Sequence, residues 1–104
     1  MEKNGNIQKH EDEALLLVKG GNAEKGYAKK LADAIKSVLY KHDVARMRTC
    51  GAPAVNNAIK AFTIASLAAE KFGEELYLQS EWVEIEFKQE KKTALLLVVR
   101  RMED

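Results

Sequence analysis

A chain of 104 residues, 46% apolar and 32% charged, has the size and composition of one domain with a single modest core. Its formal net charge of +1 gives no global charge argument for nucleic acid, and its single cysteine excludes an internal disulfide. The N-terminus carries no apolar signal region, and the apolar runs 14–18 and 94–99 are far too short to span a bilayer, so a cytoplasmic protein with no membrane partner is expected.

In chain order, residues 1–12 are polar and read as a flexible N-terminal tail, leaving one domain over 13–102. Residues 14–19 form an apolar run ended by Gly20-Gly21, the pattern of a short buried strand. Asn22 is a candidate cap for a helix over about 23–41, whose Tyr27, Ala28, Leu31, Ile35, Val38 and Leu39 make one stripe. Val44 to Cys50 reads as a second strand, with Ala45, Met47 and Thr49 on one side and Arg46 and Arg48 on the other.

A second helix is predicted over about 53–71. Val55, Ala58, Ile59, Phe62, Ser66 and Ala69 form one face, and further apolar residues populate much of the rest. A helix apolar on more than one side needs two burial partners, and a second copy of so short a chain is the expected second one. Leu76 to Phe87 alternates as a half-buried strand, Gln89-Glu90-Lys91 makes a hairpin connection, and Leu95 to Val99 reads as an interior strand. The order β-α-β-α-β-β gives an α/β two-layer sandwich, a mixed four-stranded sheet with two helices on one face.

Charge is unevenly placed. Residues 19–48 hold eight Lys/Arg against three acids, a local net of +5, while the segments on either side each net −2. The junction Cys50-Gly51-Ala52-Pro53-Ala54-Val55-Asn56-Asn57 runs from strand through a glycine turn into a helix. Pro53 suits a first helical position, and the unpaired N–H groups there, with two amide side chains, suit an anion such as phosphate. Metal and nucleophile patterns are missing: His10, His42 and Cys50 have no ligand spacing, and there is no Walker loop, dinucleotide glycine pattern or Ser-His-Asp order. No enzyme activity, cofactor, metal or small-molecule substrate is therefore expected. Glu81, Glu84 and Glu86 read as a solvated strand face. Trp82 and Tyr77 read as core or interface residues before base-stacking ones.

The order of elements, the segment Gly-Ala-Pro-Ala-Val-Asn-Asn-Ala-Ile-Lys-Ala from Gly51, and the ending Lys92-Thr93-Ala94-Leu95 resemble the stage V sporulation protein S family, within the wider Alba-like group. The resemblance implies an Alba-like fold with the last strand inside the sheet. It also implies a homodimer or tetramer that binds DNA or RNA through the loops before both helices and through the last hairpin. Carried onto this chain, the contacts would be Lys19, Asn22, Lys25, Asn56, Lys60, Lys88, Lys91 and Lys92, mainly to phosphate. Three features depart from archaeal Alba: Gly21-Asn22 replaces a lysine pair, Gly51-Ala52-Pro53 replaces Arg-Gly-Arg, and the long basic hairpin reads as a short turn. The alternative is a dimeric, non-enzymatic protein-interaction module in a developmental or sporulation pathway, without nucleic-acid binding.

Overall fold

The computed structural model describes residues 14–103. The segment 1–12 expected as a tail lies outside the described residues. The elements are β1 (Leu15–Leu17), α1 (Tyr27–His42), β2 (Val44–Thr49), α2 (Ala52–Glu70), β3 (Leu76–Phe87) and β4 (Glu90–Arg101). The sheet order is β1-β2-β4-β3, with β1 parallel to β2 and the other pairs antiparallel. This is the expected mixed sheet, with β4 interior.

Period-2 alternation in β2 builds the core. Ala45, Met47 and Thr49 are buried against the helices, and Arg46 and Arg48 lie on the opposite face. They meet Leu31, Ala32, Ile35 and Leu39 of α1, Ala58, Ala61 and Ala65 of α2, and Leu97 and Val99 of β4 in one cluster. Both helices share this cluster, so among the described residues no helix lies on the other sheet face. The described chain is 19 Å in its shortest dimension and 44 Å in its longest, as two layers with a projection require.

The helix α1 starts four residues later than its periodicity suggests. Gly26 holds φ +82° at its N-cap, and 20–27 close through two turns, Ala23 N–H to Gly20 C=O and Tyr27 N–H to Glu24 C=O. Asn22 is therefore not the cap. The face α2 buries also differs from expectation. It packs Ala54, Ala58, Ala61 and Ala65, while Ile59, Ile64 and Leu67 stay exposed. Small side chains let α2 approach α1 and the sheet closely, and that fit overrides hydrophobicity rank.

β3 spans Leu76–Phe87 as expected, whereas β4 runs past the expected Leu95–Val99 at both ends and the turn falls at Lys88-Gln89 rather than across 89–91. The two strands pair over twelve residues each, and both turn residues are at positive φ (53° and 66°). Positive φ at both turn residues is the geometry of a two-residue type I′ connection, reached here without glycine. Because β2 ends at Thr49 opposite Leu95, the ribbon from Val83 to Ala94 runs beyond the sheet, roughly 20 Å at about 3.4 Å per residue.

Candidate nucleic-acid interface

The register fixes which residues share an end of the molecule. Leu17 is level with Arg48, and Arg48 with Leu96, so the β1–α1 loop and the Gly51 junction leave the sheet side by side. The ribbon projects from that same end. The eight candidate contacts therefore fall in two groups: Lys19, Asn22, Lys25, Asn56 and Lys60 around the loops, and Lys88, Lys91 and Lys92 near the ribbon's tip.

At the junction Gly51 takes φ +96° and ψ 156°, a conformation only glycine adopts easily, and turns the chain into α2. Its carbonyl accepts from Val55 N–H, and Gly51 brings no side-chain cap. Pro53 stands in the first turn as expected. The two amides separate in role. Asn57 Nδ2 donates to Lys19 O at 2.9 Å and Gly20 O at 3.1 Å, so its donors hold the neighbouring loop. Asn56 is exposed and faces the shallow depression shared with Gly20, Gly21, Glu24, Pro53 and Lys60.

Charge in the loop group is partly countered. Lys19 and Lys30 each place Nζ 3.4 Å from a carboxylate oxygen of Glu24. Backbone hydrogen bonding at Glu24, then the Lys19 ammonium, holds this carboxyl below its usual range. The Lys19 backbone N–H donates to the Tyr27 hydroxyl at 2.9 Å, and its ammonium lies 5.8 Å from that ring's centroid. Lys25 and Lys60 have no ion pair among the described residues.

The ribbon is less basic than its three lysines suggest. Glu84, Glu86 and Glu90 share it, so residues 83–94 are neutral overall, and Lys91 stands directly across from Glu86. Phe87 escapes notice in the sequence. It is half exposed, with Lys88 Nζ 5.3 Å and Lys92 Nζ 5.6 Å from its ring centroid. Placing the turn at 88–89 is the step that puts Phe87 and Lys92 on one face.

Trp82 is 74% exposed, so it is no core residue of the single chain. It lies beside Leu95 on the helix side and lines an apolar groove with Val55 and Ile59. Tyr77 is half-buried on the helix-free face. Cys50 is exposed, and no group of three or more His, Cys, Asp or Glu is placed to hold a metal among the described residues. No helix among them is long and apolar enough to cross a membrane.

A comparison with curated proteins returned no match. The family model described as stage V sporulation protein S matches residues 22–102. That span takes in every element except β1 and leaves Lys19 outside. The chain belongs to the stage V sporulation protein S family, a family of small sporulation proteins.

Proposed function

We propose that this protein is a dimeric, non-enzymatic regulator that binds DNA or RNA mainly through phosphates. The observation that carries the reading is the shared end. The β1–α1 loop, the junction and the ribbon all project from one end of the sheet, with Lys19 and Lys25 on the loop, Lys60 on α2 and Lys88 and Lys92 further out on the ribbon. A phosphate backbone running along that end meets lysines at both levels and the N-terminus of α2. This is the arrangement that an Alba-like relationship implies. The groove of Val55, Ile59, Trp82 and Leu95 is the surface for the second copy.

A titration against duplex DNA, single strands and structured RNA at two salt concentrations tests it. Affinity is expected to fall with salt at a slope of about −0.9 per phosphate contact on duplex. Absent or salt-independent binding at low ionic strength removes the reading. The neutral ribbon and the apolar groove favour a second reading, a protein-interaction module of the same sporulation family. That module gives no retarded nucleic acid and a defined protein partner.

A further inference from the structure

The strongest unassigned feature lies on the sheet face that no helix covers. The register writes three rows across it: Leu17–Arg48–Leu96–Glu81, Leu15–Arg46–Val98–Gln79, and Val44–Arg100–Tyr77. Arg48 and Arg46 are about 7 Å apart along β2, and Arg100 is diagonal to Arg46 at about 7–8 Å. The three arginines thus follow one diagonal course across the sheet.

Some cations elsewhere in the fold are paired. Lys19 and Lys30 meet Glu24, Lys36 meets Asp33, and Arg101 meets Asp43. Among the described residues Arg46, Arg48 and Arg100 make no ion pair and no side-chain hydrogen bond. Among the described residues the acids near the row are Glu81, two strands from Arg48, and Asp43 and Glu103, which share a depression with Arg100 and Tyr77. Asp43 is taken by Arg101. Val98, 4% exposed, stands between Arg46 and Gln79 in register on this face.

We propose that this face is a second binding surface, for single-stranded nucleic acid, with Arg48, Arg46 and Arg100 holding phosphates and bases and Tyr77 supplying a stacking ring. Arginine suits the role twice, since its fork pairs phosphate and its plane stacks on bases. Leu17, 61% exposed at the edge, adds apolar surface for an unstacked base. Duplex fits poorly: four strands at about 4.8 Å span about 14 Å before side chains, wider than a major groove of about 12 Å. A second copy stacked face to face would bring arginine rows together. An acidic peptide would match the charge but brings no nucleobase to stack on Tyr77 and the guanidinium planes. The surface shares no residue with the loop and ribbon contacts.

The test is fluorescence anisotropy of the full chain with a labelled oligo(U), a DNA duplex and poly-glutamate of similar length, at about 50 and 200 mM salt. Arg46→Gln/Arg48→Gln is expected to weaken oligo(U) binding at least about tenfold at the lower salt and to reduce its salt slope by about 1.4, two contacts at about 0.7 each. Its duplex affinity should stay unchanged. Arg46→Lys/Arg48→Lys keeps stems and charge, so the salt slope should persist while affinity falls a few-fold. A slope lost equally in the lysine pair would mean damage to the sheet and overturn the proposal. So would wild type that ignores oligo(U), unchanged oligo(U) binding in the glutamine pair, or poly-glutamate bound as tightly as oligo(U). Lys19→Gln/Lys60→Gln separates the two surfaces. If this pair alone weakens binding, the loop reading stands and the arginine face falls. If the arginine pair alone does, the loop reading fails and the face stands.

Discussion

Asn57 in the first turns of α2 donates both of its short hydrogen bonds to backbone carbonyls of the β1–α1 loop, at 2.9 Å to Lys19 and 3.1 Å to Gly20. One side chain therefore joins the two loops that carry most of the candidate contacts. Replacing it leaves two carbonyls without their donor. Asn57→Ala is expected to destabilise the fold by about 1–2 kcal/mol. Asn57→Asp should do more harm, because a carboxylate cannot donate and faces two carbonyl oxygens. Urea unfolding of both variants measures this. An aspartate variant as stable as wild type would mean the clamp is not formed in solution.

Buried alanines, not the large apolar residues, set the position of α2. Ala61 is fully buried, and Leu67 is 58% exposed. Ala61→Leu should destabilise by about 1–3 kcal/mol through overpacking. Leu67→Gln should stay within about 0.5 kcal/mol of wild type. The reverse order would require the helix to be rotated about its axis.

These two residues also show what the sequence reveals and what it hides. The faces of β2 are legible because Arg46 and Arg48 alternate strictly with Ala45, Met47 and Thr49, and only one register buries the second set. The fold class follows from that alternation, the helical stripe of α1 and the apolar run of β4. The packing face of α2 is not legible, because Ile59 and Leu67 outrank alanine in hydrophobicity while close packing selects for size. The end of β3 at Phe87 is legible from its alternation, but the extent of β4 and the position of the turn are hidden, since Lys88-Gln89 carries none of the usual turn residues. At the candidate site the glycine turn and Pro53 can be read directly. The division of labour between Asn56 and Asn57 depends on where the neighbouring loop sits, and no local pattern encodes that.

The turn itself yields a stability prediction. An L-residue held at positive φ costs about 1–2 kcal/mol relative to its relaxed conformation, and Gln89 sits at 66°. Glycine removes that strain but adds freedom to the unfolded chain, about 0.4–1 kcal/mol in the opposite direction. Gln89→Gly should therefore stabilise by about 0.5–1 kcal/mol, a rise in Tm of several degrees. A lowered Tm would show that the turn relaxes away from this geometry.

Association through the apolar groove predicts its own variants. Ile59 and Trp82 line it from α2 and β3, and both are exposed in the single chain. Ile59→Glu and Trp82→Glu should leave monomer stability nearly unchanged and convert the dimer to monomer in sedimentation analysis. Wild type that sediments as a monomer across the accessible concentration range would refute a dimer built on this groove.

Glu24 gives the loop group a pH dependence with a definite sign. Its carboxyl titrates below the usual range because the backbone and the Lys19 and Lys30 ammonium groups favour the charged form. A depressed carboxyl contributes stability that is present above its unfolded value and is lost as pH falls through the folded one. The Glu24 side chain is exposed to solvent, which screens these charges, so the effect on folding is small. The effect on binding runs the other way. Protonation removes the negative charge between Lys19 and Lys30, and a polyanion then meets those ammonium groups without competition. Affinity for nucleic acid should rise as pH drops through the Glu24 transition. Glu24→Gln should reproduce that gain at neutral pH and abolish the pH response. An unchanged affinity in Glu24→Gln would place the bound phosphates away from Lys19 and Lys30, and the ribbon and Lys60 would then have to supply the contacts.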